Sequence, residues 1–99
     1  MKIVAKYDSF NRNRYSNPWI AQVGQDGKID FSKKVGGYTG AYDTGEAGEL
    51  YVTSPVEGAV YAYGQKDYRG KSGGYEYIKF VNGEFVSVAK NELIEALKN

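Results

Sequence analysis

Three carboxylates, Asp43, Glu46 and Glu49, form the densest acidic run in this chain. Carboxylates in pairs can shuttle protons, and in larger sets they can hold a hard cation. Their spacing matches no calcium-binding loop, and a chain this small rarely encloses the cleft that two-carboxylate sugar chemistry needs. The same stretch holds Tyr38 and Tyr42, so it reads as an acidic, aromatic contact surface that suits a Lys/Arg-rich partner. Two other stretches mix cations with aromatics. One holds Arg12, Arg14 and Tyr15; the other holds Lys66, Asp67, Tyr68, Arg69 and Lys71. Tyr, Trp and Arg are the side chains that dominate binding hot spots. Cations that track phosphates, with rings that stack on bases, are also what single-stranded nucleic acid requires.

The chemistry that remains is limited by what is missing. With no His and no Cys, the chain lacks the commonest general base, a thiolate nucleophile, a disulfide framework and the usual zinc ligands. Gly36-Gly37 and Gly73-Gly74 do not fit a phosphate-binding loop, because neither pair leads into a helix. Enzymatic function is therefore not expected, and no cofactor is implied. A nucleotide or small-molecule sponge would need a preformed pocket. No apolar run approaches membrane-spanning length and the N-terminus lacks a signal-peptide core, so a cytoplasmic protein that does not engage membranes is expected.

These residues must be held by short elements. Thirteen glycines and ten tyrosines among 99 residues favour many strands joined by tight turns. Strands are expected at Lys2–Asp8, Trp19–Gln25, Lys28–Val35, Glu49–Ser54, Ala59–Gly64, Tyr75–Val81 and Glu84–Val88. Asp26-Gly27 and Asn82-Gly83 mark two-residue hairpins. Gly36–Gly48 and Gln65–Gly74 show no hydrophobic period and read as long loops, as does Ser9–Pro18. Tyr61 and Tyr63 fall on one face of their strand, and Val60 and Ala62 on the other. Trp19 shares a face with Ala21 and Val23, which suits a core role. Lys90–Lys98 reads as an amphipathic helix with Leu93, Ile94 and Leu97 turned inward and Ala89 at a weak cap. The expected fold is α+β, mainly antiparallel β. About seven strands form a twisted sheet or partial barrel, with one C-terminal helix packed on it and all 99 residues in one domain.

The net charge of +1 is unevenly spread. Residues 1–34 hold seven Lys/Arg against three Asp, whereas residues 35–65 hold four acids and no base.

Two sets of residues carry a resemblance. One is Asn17-Pro18-Trp19-Ile20-Ala21 with Gly45-Glu46-Ala47-Gly48-Glu49-Leu50. The other is Gly64-Gln65-Lys66-Asp67-Tyr68-Arg69-Gly70 with the closing Glu92-Leu93-Ile94. Together, over most of the chain, they resemble small proteins encoded by phages, prophages and other bacterial mobile elements. The resemblance implies an anti-defence factor of the anti-CRISPR kind, which blocks a Cas effector subunit by steric binding. It carries over no functional residue. The near-zero net charge argues against wholesale mimicry of duplex DNA, leaving loop contacts. The expected contact set is Arg12, Arg14, Tyr15, Tyr38, Tyr42, Asp43, Glu46, Lys66, Asp67, Tyr68 and Arg69, on a monomer or homodimer. The alternative is a small nucleic-acid-binding module that uses the same basic and aromatic loops.

Overall fold

A computed structural model of the chain describes residues 2–7, 19–40, 48–66 and 72–98. Seven strands run through them: β1 (Lys2–Tyr7), β2 (Trp19–Val23), β3 (Ile29–Gly40), β4 (Gly48–Val52), β5 (Val60–Lys66), β6 (Ser72–Val81) and β7 (Glu84–Val88). A 3-10 turn at Lys90–Glu92 leads into the helix α1 (Leu93–Leu97). The strands form one sheet in the order β1-β4-β3-β2-β5-β6-β7, and every neighbouring pair is antiparallel. β2, β3 and β4 run up and down in succession and β5 returns beside β2, which is a Greek-key arrangement. The sheet curls into a nearly closed, barrel-like form.

The two glycine-containing hairpins differ. At Asn82-Gly83 both residues have positive φ (52° and 79°), and Val81 faces Glu84, so this is the expected two-residue turn. At Asp26-Gly27 the turn is wider than expected. Gly27 N–H donates to Gly24 O at 2.9 Å, and Gly24 N–H donates to Lys28 O at 2.8 Å. Gly27 alone takes positive φ (84°), and the Asp26 carboxylate accepts the Lys28 N–H at 3.1 Å. This is the three-residue loop with a bulge, whose left-handed position Gly27 fills.

Two stretches expected as loops are strand in their described parts, at 36–40 and 48 and at 65–66 and 72–74. β3 continues through Gly36–Gly40, paired to both β2 and β4 as far as Gly37 and to β4 thereafter. β6 begins at Ser72 and β5 reaches Lys66, so Gln65–Gly74 is shorter as a connection than the sequence suggests. Glycine has no side chain with which to display a two-residue period, so strand persists where the pattern vanishes. At Gly36 the absence of a side chain is required. A β carbon there would be driven into the Tyr51 carbonyl oxygen and would lie 2.8 Å from Ile20 Cγ2.

Both faces of the sheet are packed. On one, Ile20, Leu50, Val52, Tyr61, Ile78 and Phe80 form a cluster joined by Val4, Val35, Tyr63 and Phe85. Among the described residues no helix lies on this face, yet Ile20, Leu50, Val52 and Tyr61 are fully buried, because the sheet curls over them. On the other face α1 lies across Val23, Val60 and Ala62 through Leu93, Ala96 and Leu97. Full burial of a Val or Leu side chain contributes roughly 1.5–3 kcal/mol by removing it from water. A five-residue helix has no stability of its own and depends on this contact. The alternation expected in β5 holds, with Tyr61 and Tyr63 on the helix-free face and Val60 and Ala62 beneath α1. Ile94 departs from expectation. It is 55% exposed, near Gly27, and Ala96 makes the inward contact instead. The 3-10 start at Lys90–Glu92 rotates the helical face relative to an α-helix begun at Lys90.

Candidate interaction surface

The register gathers six strand ends at one rim of the sheet. Tyr7 faces Gly48, Gly48 faces Gly40, and Lys66 faces Ser72; Trp19 lies between Gly37 and Gly64, and Gly64 faces Tyr75. The chain leaves and re-enters the sheet at this rim three times: between Tyr7 and Trp19, between Gly40 and Gly48, and between Lys66 and Ser72. Of the expected contact residues, Tyr38 is placed in β3 opposite Leu50, and Lys66 ends β5 opposite Ser72. Arg12, Arg14, Tyr15, Tyr42, Asp43, Glu46, Asp67, Tyr68 and Arg69 lie outside the described residues. The opposite rim holds the Gly24–Lys28 and Asn82-Gly83 turns and the 53–59 connection.

Beside the first rim, on the face that carries α1, four aromatic rings from three strands, β2, β3 and β6, meet. Trp19 lies edge-to-face with Phe31 at 5.2 Å between centroids and 6.4 Å from Tyr75; Tyr75 lies 5.4 Å from Tyr77 at 86°. Both direct cross-strand neighbours of Trp19 are glycines, Gly37 and Gly64, so no side chain separates its ring from Tyr75. Trp19 packs against the cluster beneath α1, as its position beside Ala21 and Val23 suggested. Its Nε1 is buried and has no hydrogen-bond partner among the described residues. Phe31 and Tyr75 remain half exposed. Phe31, Tyr75 and Tyr77 were not among the expected contact residues. The alternation of Tyr75-Glu76-Tyr77-Ile78 is the local signal that puts the two tyrosines on one face.

Next to these rings a cavity of about 760 Å³ opens between β6, β7 and the 3-10 turn. Its walls are Tyr75, Glu76 and Tyr77 on one side and Val88, Lys90 and Glu92 on the other. A second depression of about 470 Å³ continues from Ser87, Val88 and Glu92 to Glu95 and Ala96 on α1. Within it Glu95 pairs with Lys98 at 3.2 Å. The Glu76 carboxylate accepts a hydrogen bond from the Tyr63 hydroxyl, which holds it on the helix-free face, opposite the two tyrosines. The Tyr77 phenol is pushed up to about 12, chiefly by burial and then by its hydrogen bond to Tyr75 and the charge Tyr75 would carry. Tyr77 is therefore neutral at physiological pH.

Among the described residues, no helix is long and apolar enough to cross a membrane. Compared with family models, curated proteins and solved structures, the chain matches none of them.

Proposed function

We propose that this chain is a non-catalytic binding protein that docks a protein partner through one rim of its curled sheet. The observation that supports this reading is topological: three segments rich in Tyr, Arg and acids are tethered at the same rim, beside the Trp19–Tyr75 aromatics. A rigid sheet presenting Tyr- and Gly-rich segments at one end has the composition of an adaptable paratope. With the resemblance to mobile-element proteins, the partner is a bacterial defence complex, a Cas effector subunit, met in the host cytoplasm and blocked sterically.

The test is capture from lysates of bacteria with intact CRISPR systems, using the wild-type chain and a Arg12→Ala, Tyr15→Ala, Tyr68→Ala triple variant as baits. The expected result is a stoichiometric protein partner that survives nuclease treatment and is lost with the triple variant, whose melting temperature stays near wild type. Retention by the triple variant would remove the rim from the interface. The half-exposed rings of Phe31 and Tyr75, on a chain that also carries Arg12 and Arg14, favour the nucleic-acid reading as well. In that case the bait would recover nucleic acid alone, with affinity falling steeply against log salt through counterion release.

A further inference from the structure

Among the described residues the sheet has two free edges, β1 and β7, and they differ in how they are defended. β1 carries a bulge between Ile3 and Ala5 and holds Lys2 and Lys6, devices that keep an edge from pairing. β7, Glu84-Phe85-Val86-Ser87-Val88, contains no lysine, proline or glycine, and its register with β6 is unbroken. Val86 on one face is 45% exposed and Ser87 on the other is exposed too, so the edge is open from both sides.

The pairing with β6 fixes which backbone groups are free. Phe80 N–H donates to Ala59 O, and Phe80 O accepts the Gly58 N–H, so Phe80 turns both groups away from β7. Phe85, its partner in β7, therefore directs its own N–H and O outward, and Ser87, two residues on, does the same. Such an edge is a template for another strand. A second β7 fits it with a two-fold axis at Val86. Phe85 of each copy then exchanges both hydrogen bonds with Ser87 of the other, a large side chain beside a small one, and Val86 meets Val86. Glu84, the strand's one charge, faces Val88, with its own counterpart about 13 Å away along the ladder.

We propose that β7 pairs with β7 of a second copy, antiparallel and centred on Val86, to give a closed dimer. Pairing of β7 with β1 of a copy would leave an edge free at each end and continue into a filament. The bulge and lysines of β1 oppose that. Self-pairing of β7 stops at two and leaves only the two defended edges exposed. A five-residue strand offers less than a standard interface, so the dissociation constant is about 1–100 µM. Val88 lies opposite Tyr77, towards the Trp19 rim, and the Asn82-Gly83 turn lies at the other end of β7. Antiparallel pairing therefore points the two rims in opposite directions, and the dimer presents both.

Sedimentation velocity of the full-length chain from about 1 to 500 µM should show a concentration-dependent shift from monomer to dimer. Val86→Lys and Val86→Glu each set like charges opposite one another and should raise the dissociation constant by about tenfold or more. Mixing the two variants should restore association, because the residues face each other across the axis. Ser87→Pro removes an outward N–H that β6 does not use and should also weaken the dimer. Val56→Lys, at an exposed apolar position on the 53–59 connection, should associate as wild type does. All four positions are exposed or partly exposed, so melting temperatures should hold. A chain that stays monomeric over the whole range would overturn the proposal. So would dimers that Val86→Lys and Ser87→Pro leave intact, a mixture of the charge variants that stays apart, or growth beyond two copies. The measurement needs no other partner, so its failure leaves the rim-docking reading standing.

Discussion

The Tyr61 hydroxyl, on a side chain with no exposed surface, accepts a hydrogen bond from the Val56 N–H at 2.9 Å. Tyr61 lies in the cluster on the helix-free face, and Val56 lies in the connection that carries the chain from β4 to β5. Around it, the Glu57 carboxylate accepts the Asn82 N–H at 2.7 Å, and Gly58 N–H donates to Phe80 O at 2.7 Å. The crossover is thus tied to the core on one side and to the β6–β7 hairpin on the other. Removing the phenol oxygen with Tyr61→Phe should cost about 1 kcal/mol, since a part-buried donor loses its partner while the ring stays packed. Urea denaturation measures this, and an unchanged midpoint would mean that the bond contributes nothing.

Two glycines should resist substitution for different reasons. Gly36→Ala places a methyl against the Tyr51 carbonyl and Ile20 within paired strands, and should cost about 2–3 kcal/mol. Gly83→Ala has open space around it but must hold φ near +79°, at a cost of about 1 kcal/mol. Gly83→Asn should recover most of that loss, because Asn tolerates the left-handed region, whereas Gly36→Asn should be worse than Gly36→Ala. Thermal unfolding of the four variants separates the cases.

The helix makes a sharp contrast between neighbours. Leu93 is buried against β2 and β5, so Leu93→Ala should cost about 2–4 kcal/mol. Ile94→Lys should change stability by no more than about 0.5 kcal/mol, because that side chain is mostly in water. Equal losses at both positions would contradict the way α1 is seated.

Ala89 has extended backbone (φ −68°, ψ 144°) at the start of the 3-10 turn and offers no capping side chain. Ala89→Ser or Ala89→Thr supplies an acceptor for a free N–H of that first turn and should add about 0.5–1 kcal/mol. A melting temperature that fails to rise would argue against Ala89 as the start of the helical segment.

Alkaline pH should expose the environment of Tyr77. Its phenol ionises near 10.0 when unfolded and at about 12 when folded, so between these values the unfolded chain binds fewer protons. The stabilisation is fully present below pH 10 and is lost as pH rises towards 12. Tyr77→Phe should flatten the fall in stability over that window relative to wild type, measured by denaturation at stepped pH. Identical slopes for the two proteins would place Tyr77 in a water-like environment.

What the sequence determined by itself is local. Asn82-Gly83 specifies a tight hairpin because both positions need positive φ, and the structure has it. The alternation Val60-Tyr61-Ala62-Tyr63 assigns faces, and the structure keeps them. The predominance of strand and the single C-terminal helix follow from composition and turn chemistry. Tertiary structure decided the rest. Gly36–Gly40 is strand because β2 and β4 supply hydrogen-bond partners from distant parts of the chain, which no local period can display. Ile94 faces outward because packing of Leu93, Ala96 and Leu97 on the sheet sets the helix's rotation after a 3-10 start. Strand order is likewise non-local: only the pairing of β2 with β5 brings Trp19 across Gly64 to Tyr75 and sets three separate segments of the chain on one rim. Turn residues set where the chain reverses, but which strands then meet depends on the register that buries the most side chains at once.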